Sequence, residues 1–143
     1  IMKTHTAIGD KILHELPFEQ DAPLVKTARQ ICRWHHERYD GGGYPDGLKG
    51  EEIPICAQVV SIADAYDALM SARPYKPAFS SEKAIQMILN GECGVFNPVL
   101  VDCLLEVVSQ QKTGKEGPPP PKNLSTAPGG SVLNTLTFSG SVM

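Results

Sequence analysis

Residues 34–53 read WHHERYDGGGYPDGLKGEEI. Two of the chain's four histidines, His35 and His36, stand side by side. Glu37 and Asp40 follow, then a loop that holds Gly41, Gly42, Gly43, Gly47 and Gly50. The residues leading into the pair, from about Pro23 to Glu37, carry a helical pattern, with Asp21 as the expected cap and Pro23 in the first turn. Neighbours on a helix project ~100° apart. Two adjacent imidazoles cannot both face a core or both face water with ease, yet both can reach a site lying off the helix end. The glycines supply positive-φ conformations and let backbone approach a ligand closely, while Tyr44-Pro45 sets a stiff aromatic element among them.

On either side of this stretch the pattern stays helical. A first helix is expected from about Met2 to Leu16, with Ile8, Ile12 and Leu16 on one face and Pro17 as its stop. It carries His5, on a face with Ile8 and Gly9. A third helix, from about Pro54 to Met70, contains VVSIADAYDALM and is apolar almost all round, which implies a central, buried position. Asp64 lies in its middle between Ile62, Ala63 and Ala65, where an ionised carboxylate is costly unless paired or bound to a metal. A fourth helix is expected over about Ser81–Leu89, and a fifth from the cap Asn97-Pro98 to about Gln110. No convincing strand precedes the tail. The fold class read here is all-α, a bundle of about five helices over residues 1–111.

From 112 to 143 the composition changes. This tail holds five of the twelve prolines, four of them in the run Pro118–Pro121, which suits an extended spacer. It has too few apolar residues for a core of its own. The piece SVLNTLTF at 131–138 is β-branched enough for one strand. The 143 residues give room for one domain of ordinary size. The net charge of -3 argues against general nucleic-acid binding. Cys32, Cys56, Cys93 and Cys103 form no C-x-x-C pair and are expected as free thiols in a reducing compartment. No apolar run approaches the ~18 residues needed to span a membrane, so a soluble segment is expected. Because Ile1 opens on what reads as the middle of a helix, an upstream segment is expected as well.

Imidazoles with carboxylates suit iron, manganese, zinc or nickel. A metal so held polarises a phosphoryl oxygen and activates water near neutral pH. Other readings of single residues stand beside this one. His14, followed by Glu15 in polar surroundings, is expected to be solvated. Asp64 also fits a structural ion pair, and Asp67 a helix cap or a partner for Arg73. On spacing alone, the adjacent histidines leave ligand and structural roles open.

The run HHERYDGGGYPDGLKGEEIP, with Gly43-Tyr44-Pro45 intact, resembles the signature of the HD-GYP family. The downstream VVSIADAYDALMSARPYK resembles the family's next two blocks, and the likeness covers about residues 1–108. It implies an all-α domain of the HD superfamily that hydrolyses the bacterial second messenger cyclic di-GMP at a site of two or three metals. The metal would be divalent, iron or manganese first, with zinc, nickel or magnesium as the other candidates. By the same resemblance, His5, His35, His36 and Asp64 match metal ligands. Tyr44 matches the tyrosine beside the substrate, and Arg73 and Lys76 match basic residues that hold its phosphate and guanine groups. The family's His-Asp doublet, which supplies two further ligands, occurs nowhere in this sequence, and neither does the lysine beside it. Hydrolysis is therefore expected of a longer domain rather than of this chain alone. A non-catalytic module that binds a nucleotide or a protein is the alternative. Expected partners are cyclic di-GMP or a related nucleotide, GGDEF-domain proteins at the GYP loop, and a second copy of the chain across an open apolar face. The expected location is the bacterial cytoplasm.

Overall fold

Proline and capping residues punctuate the chain into five α-helices in the computed structural model, which describes residues 2–72 and 77–112. A 3-10 turn over Met2–Thr4 leads into α1, His5–Glu15. Helix α2 runs Pro23–Trp34, α3 Ile55–Met70, α4 Ser81–Leu89 and α5 Pro98–Lys112. No strand occurs among the described residues, in keeping with the all-α expectation. Arg73, Lys76, the proline run and the strand expected at 131–138 lie outside the described residues.

Several local expectations change. Asp21 does not cap α2. Ala22 holds the N-cap position with no side-chain bond, and Pro23, which has no N–H to satisfy, opens the helix instead. Helix α2 ends at Trp34 rather than Glu37, with His35 as its C-cap and the His35 N–H on Ile31 O at 3.1 Å. Ile8 and Ile12 are 52% and 53% exposed and Leu16 is exposed too, so their shared stripe is not the packed face of α1. The face turned inward carries buried Thr6 and Gly9, whose small size lets α1 come close to Cys32 of α2.

The core is built by α3, α4 and α5. Ile62 and Leu69 of α3, Ala84 and Ile88 of α4 and Phe96 of the α4–α5 loop bury together, with Leu100, Val101 and Leu104 of α5 against them. Each fully buried large aliphatic side chain there contributes about 1.5–3 kcal/mol. Ser80 caps α4 by accepting the Lys83 N–H at 3.3 Å. Asn97 Oδ1 accepts the Val99 N–H at 3.0 Å, as expected of a cap, and its Nδ2 donates to Gln58 Oε1 at 2.9 Å. This second bond ties the start of α5 to the start of α3. Helix α3 is thus central, contacting α2, α4 and α5. It is not buried all round: Ala63, Asp64 and Asp67 are exposed. The expectation of a buried Asp64 is corrected accordingly, because α2, α4 and α5 cover only part of the helix circumference.

Candidate metal centre

The end of α2 decides the geometry. Because the helix stops at Trp34, His36 leaves the helical path, and the two adjacent imidazoles converge instead of diverging by a helical step. Their ring centroids are 4.2 Å apart. His5, at the first turn of α1, brings its ring within 4.9 Å of His36 and 5.5 Å of His35. One ring nitrogen from each of the three lies within 4.8 Å of the other two.

Protonation favours lone pairs at this point. His35 Nδ1 lies 2.8 Å from Ile31 O and 3.1 Å from Cys32 O. Carbonyls only accept, so Nδ1 carries a proton, and the neutral tautomer that this selects is the one with its lone pair on Nε2. Burial, then the neighbouring His35 and His5, push His36 down to about 4, against the opposing pull of Asp64. His36 is therefore neutral at pH 7. Three imidazoles, with His36 neutral and Nδ1 of His35 turned to carbonyls, form a donor set that fits a divalent transition metal.

Asp64 stands across a cleft. It and His36 line a space of about 360 Å³ with Arg38, Ala65, Ala68, Leu69 and Cys93. The structure brings Asp64 into electrostatic reach of His36 but not into the cluster of three nitrogens. Arg38 donates to Ser61 Oγ at 2.8 Å and to Glu37 O at 3.1 Å, and its guanidinium lies 5.2 Å from the Phe96 ring centroid. A fixed cation thus borders the same cleft.

The glycine loop folds back over the histidines. Gly41 and Gly47 adopt positive φ, 86° and 71°, and reverse the chain at either end of the turn. The Tyr44 N–H bonds His36 O at 3.2 Å, and the Tyr44 ring stacks on His36 at 4.9 Å with the planes 27° apart. Partial burial holds the Tyr44 phenol above its usual value, so it is a protonated donor at neutral pH. Lys3 Nζ lies 5.4 Å from the centre of the same ring.

An ionic relay connects these parts. Arg29 Nε reaches Asp10 of α1 at 2.8 Å, and Arg33 joins Asp10 at 3.4 Å to Asp46 of the loop at 2.8 Å. Trp34 Nε1 also donates to Asp46, at 2.7 Å. The helix bearing His5 and the loop bearing Tyr44 are therefore both fastened to α2. Sequence reasoning passed over Arg33, Trp34 and Asp46, whose pairing spans a loop and leaves no periodic trace. Glu37 and Asp40, read beside the histidines as nearby carboxylates, do not join the cluster. Asp40 accepts the Gly42 N–H at 2.9 Å, and Glu37 is buried against the Asp46 and Gly47 amides. His14 is exposed on α1, outside the cluster.

A family model described as HD domain matches residues 1–94. The cyclic di-GMP phosphodiesterase response regulator RpfG of Xanthomonas campestris is 44% identical over 105 residues, 73% of this chain and 27% of that protein. A cyclic di-GMP phosphodiesterase of Thermotoga maritima is 40% identical over 107 residues, 75% of this chain and 28% of that protein. A 3'3'-cGAMP-specific phosphodiesterase of Vibrio cholerae is 37% identical over 106 residues, 74% of this chain and 20% of that protein. The chain thus spans about a quarter of the length of such relatives. With its histidine pair and Gly43-Tyr44-Pro45 in place, the chain belongs to the HD domain family, in its HD-GYP branch.

Proposed function

We propose that the chain carries the metal-binding and substrate-facing part of a phosphodiesterase that acts on cyclic di-GMP. The observation that carries this reading is the convergence of His5, His35 and His36 under the Tyr44 ring. His5, His35 and His36 would hold a divalent metal, iron or manganese by preference, with Asp64 a further ligand from across the cleft. When bound, such a metal supplies Lewis acidity toward a phosphoryl oxygen and activates water near neutral pH. The remaining roles fall to the protein. The carbonyls of Ile31 and Cys32 keep the His35 Nε2 lone pair on the cluster side. Tyr44 sets the plane of His36 and offers a phenolic donor. Arg38 makes the cleft favourable for an anionic phosphodiester. Arg73 and Lys76 are assigned by resemblance to the phosphate and guanine groups. Residues 1–111 form the domain and 112–143 an appended tail.

A second reading is a module that binds without turnover, and the observation that speaks for it is the exposed apolar stripe of Ile8 and Ile12 on α1. In that role the GYP loop would meet a GGDEF-domain partner, or exposed Ile8 and Ile12 a second copy of the chain. No described helix is long and apolar enough to cross a membrane, and the bacterial cytoplasm is the proposed setting.

The test is metal content per chain after loading with Mn(II) or Fe(II) and removing excess. His36→Ala should abolish retained metal while His14→Ala leaves it. Equal losses from both would refute the ligand assignment. Calorimetric titration with cyclic di-GMP follows: Arg73→Ala should weaken binding with metal content unchanged, and loss of metal in that variant would mean a structural role.

A further inference from the structure

Glu37 follows the two histidines directly, yet it is 2% exposed and its carboxylate does not join their cluster. Its Oε1 accepts the N–H of Asp46 at 2.7 Å and of Gly47 at 3.0 Å. With the Tyr44 N–H on His36 O, the turn has amides 44, 46 and 47 bonded to residues 36 and 37, and Pro45 has no N–H to offer. Oε2 has no hydrogen-bond partner among the described residues. Burying a carboxyl oxygen in that way costs stability that an apolar residue would keep. An apolar residue could not accept from two amides at once. Glu37 also borders a cavity of about 10 Å³ with Gln58, Ser61 and Asn97, room for about one water.

We infer that Glu37 is the positioning residue of the histidine cluster: its carboxyl group clamps the 44–47 turn so that Tyr44 stays stacked on His36. Asp46 is separately held through its side chain by Arg33 and Trp34. Without Glu37 the turn therefore pivots about Asp46 rather than leaving the protein, and the Tyr44 ring slides off His36. The link from clamp to metal affinity rests on the metal reading above. The clamp itself does not.

The test uses the full chain. In the unsubstituted, metal-free protein, the Asp46 and Gly47 amide protons should exchange at least ~100-fold slower than in a free peptide; exchange at free rates would overturn the clamp without any variant. Glu37→Met keeps length and removes the acceptor, whereas Glu37→Gln keeps a carbonyl that can accept both amides. Nuclear Overhauser contacts between the Tyr44 and His36 rings should persist in Glu37→Gln and vanish in Glu37→Met, with far-UV circular dichroism unchanged. Mn(II) affinity should fall on the order of 10-fold in Glu37→Met and recover in Glu37→Gln. Ring contacts that survive in Glu37→Met, equal loss in both variants, or unchanged Mn(II) affinity despite lost contacts would each overturn the positioning role. If the unsubstituted chain binds no Mn(II), the metal reading fails, and the ring contacts and exchange rates still decide the clamp.

Discussion

A methyl group at position 43 has no room. An ideal Cβ built on Gly43 lies 2.5 Å from the Glu37 carbonyl carbon, with Glu37 Cα and the Arg38 nitrogen equally crowded. All three are backbone atoms, so no rotamer relieves the contact. Carbon atoms rest at ~3.5–4.0 Å, so in Gly43→Ala the turn must back away by about 1 Å. The bonds from the Tyr44, Asp46 and Gly47 amides, at 3.2, 2.7 and 3.0 Å, then stretch beyond useful length. At about 1 kcal/mol net apiece, their loss totals about 3 kcal/mol. For a domain of this size that lowers Tm by roughly 10 °C. Gly42→Ala is the control, since its Cβ meets only the exposed Asp40 side chain, nearest at 3.2 Å, which has to give by only a few tenths of an ångström. The assay is urea unfolding followed by the fluorescence of Trp34, the sole tryptophan, whose indole N–H is bonded to Asp46 beside the turn. Far-UV circular dichroism follows the helices in parallel. A Gly43→Ala midpoint within ~0.5 kcal/mol of Gly42→Ala would refute the reasoning, because it would mean the turn does not rest on residues 37 and 38.

Three other outcomes are expected. Gly9→Ala should stabilise by about 0.5–1 kcal/mol, since helix propensity improves and the new Cβ meets Cys32 at an ordinary 3.6 Å; a loss of stability by urea midpoint would contradict that spacing. In metal-free protein, His36 binds its proton only near pH 4 when folded, against 6.5 when unfolded. The unfolded state therefore holds more protons between those values, and stability is full above about 6.5 and falls as pH drops toward about 4. His36→Gln should flatten that part of the pH profile, and an unchanged slope would show that another group is responsible. Arg33→Met removes the bridge between Asp10 and Asp46. It should shift Trp34 emission and cost on the order of 1 kcal/mol, these being partly exposed pairs; silence in both signals would show the relay to be idle.

The helices were readable because proline and asparagine mark their ends: Pro17, Pro23, Pro54 and Asn97-Pro98 sit where the chain changes direction. A shared site off the end of the second helix was suggested by the adjacent histidines and the glycines that follow, but helical phase would set the two rings apart; they converge because α2 stops at Trp34, short of the expected Glu37. Burial was less readable. The apolar stripe of Ile8, Ile12 and Leu16 states which face seeks cover, yet α1 meets α2 through Thr6 and Gly9. The third helix is apolar on nearly every side, so its sequence does not say which side its neighbours leave open, and Asp64 proved exposed. Glu37 drew no assignment from the sequence for a different reason. Its partners are the backbone amides of Asp46 and Gly47, which carry no side-chain signature.

Helix α1 packs chiefly on α2, while the main apolar cluster is shared by α3, α4 and α5. Among the described residues the His5–Glu15 segment is thus held along one side, and its opening would leave that cluster intact. Amide exchange there should follow small local fluctuations, faster than along α3. An ion gripping His5 from one side and His35 and His36 from the other would act as a latch, and part of its binding free energy would be spent on quieting α1. Affinity at this centre would then be set as much by how often α1 opens as by the chemistry of three imidazoles.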